Sequence, residues 1–504
     1  MSISTVTQIH TKEPSRWSVL ALLGVAQLMV VLDATIVNIA LPSAQTALHF
    51  STDSRQWIIT AYALTFGSLL LLGGKLGDLF GRKWTFIGGL VGFAGASAVG
   101  GFAQSFGMLV AARALQGAFG ALLAPSALSL LTVTFQGSPD RAKAFGIFSA
   151  IAGGGASVGL LLGGLLTQTL SWRWCLYVNL AIAVPTAFVA LRLLRNEGNP
   201  NRPRIDLPGA LAASAGLFAV VYGFSNAETS SWSDPITLVA LALSAAMLAA
   251  FVAIELRVEH PLLPLHIVWD RARGGAYASI ALAGSGVFGV FLFLTYYLQQ
   301  SLGFSPLKTG LAFLPMTGAI VLTATTVQTR VLHRTGAKPL VVVGSTLGIV
   351  AMIVFTRLTP GGSYASEVLP GLLLIGLGMG CIFAPAFSTA TLGVRRHDAG
   401  IASAMVNTSQ QVGGSVGTAL LSTIFASAAA SYATGQVTAT TLSNAAAIHG
   451  YTTAFWWAAG IFGLALLVAL VVLPSDGASR AREVHAKAAS ERAGTERAIS
   501  AEAA

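Results

Sequence analysis

The chain has 504 residues, of which 54% are hydrophobic and only 10% are charged. A soluble domain could not bury that much apolar surface with so few charged side chains, so the composition excludes an ordinary soluble protein. The net charge of +10 would suit a nucleic-acid partner, but the positions of the basic residues indicate a different origin.

The apolar residues fall into fourteen runs of about 20 residues, the length of helix that crosses ~30 Å of hydrocarbon. The chain is therefore predicted to be an all-α polytopic membrane protein. The predicted spans cover residues 17–42, 55–74, 84–105, 107–134, 144–169, 174–194, 207–226, 235–256, 274–298, 309–329, 339–356, 368–392, 399–426 and 451–473. Of the 29 Lys and Arg residues, 24 lie in the tails or at the even-numbered loops and 4 in the odd-numbered loops, which places both termini in the cytoplasm. The net positive charge is therefore explained by the membrane topology, and no nucleic-acid partner is expected.

Asp33 is the one acidic residue deep inside an apolar run, within the stretch Leu-Asp-Ala-Thr-Ile-Val-Asn-Ile-Ala-Leu-Pro at 32–42. A carboxylate there is costly unless it is protonated, paired or facing water. One interpretation is a structural hydrogen bond to a neighbouring helix. We favour the other, a proton-carrying group in a transport pathway.

The connection between spans two and three, residues 74–83, is here called the gating loop. Its candidate residues are Gly74, Asp78, Gly81, Arg82 and Lys83. An acid and a basic pair at this spacing can bind opposite helix ends, the acid at an N-terminus and the bases at a C-terminus. A plain connector would need the basic pair but neither the acid nor the spaced glycines.

These two stretches resemble a known family. The gating loop has the form G-x-L-x-D-x-x-G-R-K of the major facilitator superfamily, and residues 32–42 resemble the first-span signature of its fourteen-helix drug:proton antiporter branch. The resemblance extends from Trp17 to Pro474, with Leu79 standing where many members carry Arg. It implies a major facilitator fold of two six-helix bundles with two inserted helices, proton-coupled export and no cofactor.

Span four carries Arg113 and Gln116 on one helix face. The depth of Arg113 permits contact with Asp33. Arg113 and Gly117 together match the family's R-x-x-x-G; the alternative is an Arg that reaches the outer headgroups.

In span five, Leu160 stands where the family's antiporter motif has Pro. The small-residue steps of that span, which predict close helix packing, are Gly155, Gly159, Gly163 and Gly164. The start of span six, including Asn179, also resembles the fourteen-helix branch.

An internal repeat divides the chain: Gly120-x-x-x-Ala124-Pro125 recurs as Gly380-x-x-x-Ala384-Pro385. Such repeats place a binding site between two halves. The predicted order is a tail at 1–16, a bundle at 17–194, a linker at 195–206, an inserted helix pair at 207–256, a loop at 257–273, a bundle at 274–473 and a tail at 474–504. Leu373 occupies the position that repeats Arg113, so proton handling is expected in the first bundle.

The candidate substrate residues, in addition to Gln116, are aromatic or amide side chains of the second bundle. They are Phe291, Phe293, Tyr297, Asn407, Gln410 and Gln411. The aromatic rings could equally belong to core and lipid contacts, and the amides could hold helices together.

The sequence therefore predicts a monomeric, proton-coupled drug exporter of the cell membrane for neutral or monovalent lipophilic compounds. The first alternative is a proton-coupled exporter of a lipid or endogenous metabolite. A membrane enzyme or ion-pump subunit is disfavoured, because the spans contain no Lys. Two cysteines and histidines confined to loops, tails and span ends predict no metal site.

Overall fold

A computed structural model of the chain describes residues 15–50, 56–195, 206–259, 261–434 and 441–475. The predicted tails, apart from their innermost residues, and linker residues 196–205 lie outside this part. The described residues contain fourteen helices that are long and apolar enough to cross a membrane, which confirms the predicted class and helix number. In chain order the helices are α1 (Arg16–Leu48), α2 (Gln56–Phe80), α3 (Arg82–Gly101), α4 (Phe106–Thr134), α5 (Arg141–Thr169), α6 (Trp174–Leu193), α7 (Leu207–Thr229), α8 (Pro235–Glu255), α9 (Arg271–Ser301), α10 (Leu307–Thr335), α11 (Ala337–Phe355), α12 (Tyr364–Ala390), α13 (Ala399–Thr434) and α14 (Thr441–Val471).

Short polar side chains define where several helices begin. Each accepts a hydrogen bond from a backbone N–H of the first turn, which would otherwise lack a partner. These N-cap residues are Ser105 for α4, Asp206 for α7, Asp234 for α8, Asp270 for α9 and Ser305 for α10. Glycines with positive φ, Gly81 (93°) and Gly336 (77°), make the tight turns from α2 to α3 and from α10 to α11.

The turns at Gly81 and Gly336 are followed by the same lysine contact. Lys83 Nζ donates to the carbonyl oxygen of Leu191 at 2.8 Å, near the end of α6, and Lys338 Nζ donates to that of Leu470 at 2.7 Å, near the end of α14. A cation at a helix C-terminus is favourable because the last carbonyls lack helical partners. The repeat seen in the sequence therefore extends to a repeated contact between the third and sixth helices of each bundle.

Helices α1–α6 pack together as one bundle, and α9–α14 pack together as a second. The inserted helices α7 and α8 pack on each other, and α7 also contacts α2 and α13. Polar contacts fix this position: Thr60 Oγ1 lies 3.3 Å from Ser225 Oγ, and Trp232 Nε1 donates to Thr423 Oγ1 at 2.8 Å. The inserted pair thus lies along the line where α2 of one bundle meets α13 of the other.

Three helices of the second bundle contain a wider helical turn that the sequence did not predict. The π-helical segments are Tyr297–Ser301, Val327–Val331 and Tyr364–Val368. Such segments shift the hydrogen bonding of the backbone and often occur at functional sites.

Candidate functional site

Asp33 on α1 and Arg113 on α4 form a buried ion pair. Arg113 Nη1 lies 2.5 Å from Asp33 Oδ2, and the two residues are 1% and 0% exposed respectively. Arg113 Nε also donates to the carbonyl oxygen of Ile58, and its guanidinium lies 4.4 Å from the ring centre of Tyr62. The chain thereby keeps both charges out of contact with lipid, since each has an opposite charge and further polar or aromatic partners.

Two amides complete the coordination of Asp33. Gln116 Nε2 donates to Asp33 Oδ1 at 3.0 Å, and Asn179 Nδ2 on α6 donates to the same oxygen at 2.6 Å. Gln116 is itself fixed, because its Oε1 accepts from Arg113 Nη1 and its Nε2 also lies 2.6 Å from Ser97 Oγ on α3. We call Asp33, Ser97, Arg113, Gln116 and Asn179 the Asp33 cluster. Four helices of one bundle supply it.

Glycines of α5 determine how closely α1 approaches. A Cβ on Gly159 would lie 2.0 Å from Thr35 Oγ1 and 2.9 Å from the carbonyl oxygen of Leu32, and a Cβ on Gly163 would lie 2.9 Å from Ile36 Cγ1. Gly155 meets α1 in the same way, whereas Gly164 faces α10 of the other bundle. The small-residue face therefore packs directly beside Asp33, and only glycine permits that distance.

Asp78 connects the gating loop to the second bundle. Its Oδ1 accepts from Arg82 Nη2 at 2.9 Å, and both carboxylate oxygens lie 3.1 Å from the backbone nitrogen of Gly400. Gly400 is in the first turn of α13, so the carboxylate faces the positive end of that helix. A Cβ on Gly74 would lie 2.6 Å from Ala404 Cβ, and glycine is therefore needed for α2 to approach α13. Together these residues hold the two bundles in contact at the end predicted to face the cytoplasm.

A second contact at the same end comes from Arg141, at the start of α5. Arg141 is 5% exposed and donates through Nη2 to Thr391 Oγ1 at 2.8 Å and to the carbonyl oxygen of Ser388 at 3.4 Å. Ser388 belongs to the last turn of α12, where a cation is favourable. Arg141 could not be singled out from the sequence, because a basic residue at a span end is common in a predicted cytoplasmic loop.

The aromatic candidates of α9 are differently placed. Phe291 is partly exposed and packs on Phe313, with ring centres 5.1 Å apart. Phe293 is 1% exposed among aromatic neighbours such as Phe455. Tyr297 is fully buried; its hydroxyl is hydrogen-bonded to the carbonyl oxygen of Thr359 and to Glu367 Oε2. In this conformation a substrate could touch Phe291, while contact with Phe293 or Tyr297 would require these rings to move.

The amide candidates of α13 are all partly exposed. Asn407 Nδ2 donates to the carbonyl oxygen of Ser403 on its own helix at 2.9 Å. Gln411 faces the first bundle, since a Cβ on Gly67 of α2 would lie 3.2 Å from its Cγ. Gln410 lies beside Gly284 of α9, which approaches its backbone. Asn407 and Gln411 thus lie one helical turn apart on α13, with Gln411 at the junction of the bundles, whereas Gln116 lies inside the Asp33 cluster.

The described residues contain no group of three or more His, Cys, Asp or Glu side chains placed to hold a metal ion. Three parts of the Asp33 environment were not predicted from the sequence: the Tyr62 ring, the Ser97 hydroxyl and the direct bond from Asn179. Asn179 was noted for its resemblance alone, while Tyr62 and Ser97 stood in no recognisable pattern.

Several known proteins are similar to this chain in sequence or in fold. The Major Facilitator Superfamily model matches residues 23–418. The puromycin resistance protein of Streptomyces alboniger is 47% identical over 466 residues, 92% of each chain, and the cephamycin export protein CmcT of Amycolatopsis lactamdurans is 36% identical over 470 residues, 92% of this chain and 94% of that one. The crystal structure of the human organic anion transporter MFSD10 (TETRAN) matches with a TM-score of 0.61 at 16% identity, covering 91% of this chain and all of that one, and it supports the fold alone. The chain belongs to the Major Facilitator Superfamily, in the drug-exporter branch that contains these resistance and export proteins.

Proposed function

We propose that this multi-pass cell-membrane protein exports drugs or antibiotics by proton-coupled alternating access, with Asp33 as the proton carrier. The carrying observation is the fully buried pair of Asp33 and Arg113. A charged pair in a lipid-embedded bundle is rarely kept for stability alone, since its desolvation offsets most of its attraction. A reversible protonation of Asp33 would instead give the pair a role in the transport cycle.

The coupling follows from the donors around Asp33. While Asp33 is ionised, Arg113, Gln116 and Asn179 all donate to its carboxylate. Protonation removes the charge that neutralises Arg113, so the arrangement of α1, α4 and α6 loses stability relative to alternatives. We place the termini and the gating loop in the cytoplasm, as the basic residues predict. Inward delivery of a proton down its gradient then accompanies outward movement of drug.

Closure on the cytoplasmic side is assigned to Asp78 and Arg141. Each places its charge at a helix end of the opposite bundle, α13 for Asp78 and α12 for Arg141. Separation of the bundles at this end breaks both contacts, so their strength sets the balance between the two access states. We assign substrate contacts to Phe291, Asn407, Gln410 and Gln411 first, since these are partly exposed. We propose that the protein works as a monomer.

The test is a susceptibility panel that includes puromycin, in a bacterial host lacking its own efflux pumps. Expression of the chain should raise the inhibitory concentration of at least one drug, and an uncoupler should abolish accumulation differences between expressing and empty cells. Asp33→Asn should remove pH-driven drug transport in sealed vesicles while the protein stays in the membrane. Unchanged pH-driven transport by Asp33→Asn would overturn the assignment of the proton site. Export of an endogenous lipid or metabolite without any drug resistance would favour the alternative substrate class.

A further inference from the structure

Asn179 differs from the other partners of Asp33 in having one polar atom unused. Its Nδ2 donates to Asp33 Oδ1 at 2.6 Å, while its Oδ1 is buried without a hydrogen-bond partner among the described residues. The whole side chain is 0% exposed. A buried carbonyl oxygen without a donor is costly, and native structures seldom leave one without a reason.

The missing donor appears when Asp33 is protonated. An ionised carboxylate only accepts hydrogen bonds, whereas the protonated acid carries an O–H that needs an acceptor. Arg113 has donors only. Gln116 is held on both sides, because its Oε1 accepts from Arg113 and its Nε2 contacts Ser97. The hydrogen bond of the Asn179 side chain is made by its nitrogen, so a turn of the amide has to break only this one bond.

We infer that Asn179 is a positioning residue that bonds to both protonation states of Asp33, donating from Nδ2 to the carboxylate and accepting at Oδ1 from the acid after a half-turn of its amide. The inference rests on the proposed role of Asp33 as proton carrier. No covalent bond changes in Asn179: the proton stays on Asp33, and the amide exchanges its two ends. The protonated acid keeps a partner even though its attraction to Arg113 falls.

Other titratable groups lie near Asp33 on each side. Arg113 on α4 is the charged neighbour, Tyr62 on α2 covers Arg113, and Cys175 lies one turn before Asn179 on α6. The Cys175 thiol lies 3.4 Å from Thr167 Oγ1, on α5. None of these three groups combines a direct bond to Asp33 with an unused acceptor, as Asn179 does.

The experiment is infrared difference spectroscopy of the purified full-length transporter in lipid, between high and low pH, paired with the pH profile of drug transport in vesicles. The variants are Asp33→Asn, Asn179→Leu, which has similar size and no polar atoms, and Asn179→Gln, which keeps the amide. Thr186→Val is the matched control: Thr186 lies two turns along α6, and its hydroxyl donates to the carbonyl oxygen of Ile182 on the same helix at 2.6 Å.

The wild type should show a protonated-carboxyl band that Asp33→Asn removes. In Asn179→Leu that band should move to higher frequency, because the acid has lost its acceptor. The midpoint of the transport profile should rise by less than about one pH unit, because the lost bond to the carboxylate is charge-assisted and stronger than the lost bond to the neutral acid. Asn179→Gln should restore both readouts only in part, since its longer amide alters the bond to the acid, and Thr186→Val should match the wild type.

The two possible failures are distinguishable. Absence of any band that depends on Asp33 in the wild type would overturn the proposed proton site itself. A band that depends on Asp33 but has the same frequency and the same pH midpoint in Asn179→Leu would overturn the role of Asn179 and leave the proton site standing. If Asn179→Leu does not reach the membrane, the comparison of Asn179→Gln with the wild type decides, since a longer amide must change the carboxyl frequency if Asn179 bonds to the acid.

Discussion

Buried charges in this protein serve two different contacts. Asp33 and Arg113 neutralise each other inside one bundle, where their distance does not depend on how the bundles are oriented. Asp78 and Arg141 instead reach groups of the opposite bundle, the backbone nitrogen of Gly400 and the end of α12. We therefore expect protonation of Asp33 to act within the first bundle, and the contacts of Asp78 and Arg141 to exist only while the bundles are closed at that end.

Replacing Asp78 with Asn should weaken this closure. The side chain keeps its size and an acceptor oxygen, but loses the charge that binds Arg82 and faces the N-terminus of α13. A loss of about 1–2 kcal/mol would shift the ratio of closed to open molecules by roughly 5- to 30-fold. The measurement is thiol labelling of Gln328→Cys, a position that is 0% exposed beside Gly146 of α5, after replacement of the two native cysteines by Ala.

Labelling of the reporter should increase in Asp78→Asn, and the rate of drug transport should fall. Asp140→Asn is the control, because Asp140 is an exposed acid at the same end of the molecule. Wild-type labelling together with wild-type transport in Asp78→Asn would mean that the gating loop is only a connector.

At this scale the sequence predicted charges better than neutral polar groups. Asp33 and Arg113 were recognisable because a charge in an apolar run is rare and needs a partner. Gln116 was placed on the correct helix face, yet its contacts with Asp33 and Ser97 could not be inferred, since they depend on which helices become neighbours. Neutral amides and hydroxyls are common in spans, and a single one therefore carries little information.

Helix α5 acts as the common support of the molecule. Its glycines hold α1 beside it within the first bundle, and it contacts α10 and α12 of the second bundle. Ser157 Oγ lies 2.6 Å from Thr317 Oγ1, and a Cβ on Gly153 would lie 3.0 Å from Ile320 Cγ2 of α10. The position of Asp33 on α1 is thereby linked through one helix to the interface between the bundles.

Gly159→Ala should disturb this support. The new Cβ would lie 2.0 Å from Thr35 Oγ1 and 2.9 Å from the carbonyl oxygen of Leu32, so α1 must shift away from α5. Overpacking of this kind costs about 1–3 kcal/mol, more than the helix-forming preference of Ala returns. Thermal unfolding in detergent should show a lower midpoint, and drug transport should fall because Asp33 moves with α1.

Gly88→Ala supplies the control, since a Cβ at Gly88 of α3 would meet nothing within 4 Å and should leave stability unchanged or slightly higher. Adding Thr35→Ala to Gly159→Ala should recover part of the lost stability. A Gly159→Ala protein as stable and active as the wild type would show that close packing of α1 on α5 is dispensable.

Helices as elements were predictable because the bilayer fixes their length and apolar character. The glycine face of α5 was also visible in the sequence, although its partner α1 was not. The π-helical turn at Val327–Val331 left no trace in composition, because it changes the backbone hydrogen bonding rather than the residues. The inserted pair was recognised by its position in the chain, but its packing against α2 and α13 depends on tertiary contacts such as that of Trp232 with Thr423.

Considered as a whole, the part of the molecule that the structure describes offers few free negative charges to a substrate. Asp33 is neutralised by Arg113. Glu255 accepts from two backbone nitrogens after α8, Asp398 lies 3.2 Å from His397 Nε2, and Glu367 accepts from Tyr297 and Thr359. Glu367 was not anticipated from the sequence as a neighbour of a candidate substrate residue. Each of these carboxylates is already engaged by a group of the protein.

We therefore expect the exporter to favour neutral or monovalent lipophilic compounds over dications. A second positive charge would have to leave water without a fixed negative partner, which is unfavourable, whereas an aromatic, singly charged compound can stack on Phe291 and bond to Asn407 or Gln411. The measurement compares two dyes that share one ring system, monovalent ethidium and divalent propidium, in everted vesicles with an imposed pH gradient. Ethidium should accumulate at least roughly tenfold faster, the ratio that ~1.4 kcal/mol produces, and Asp33→Asn vesicles should accumulate neither. Equal or faster accumulation of propidium would reveal a negative site in the pathway, and neutral variants of Glu255, Glu367 and Asp398 would then show which carboxylate supplies it.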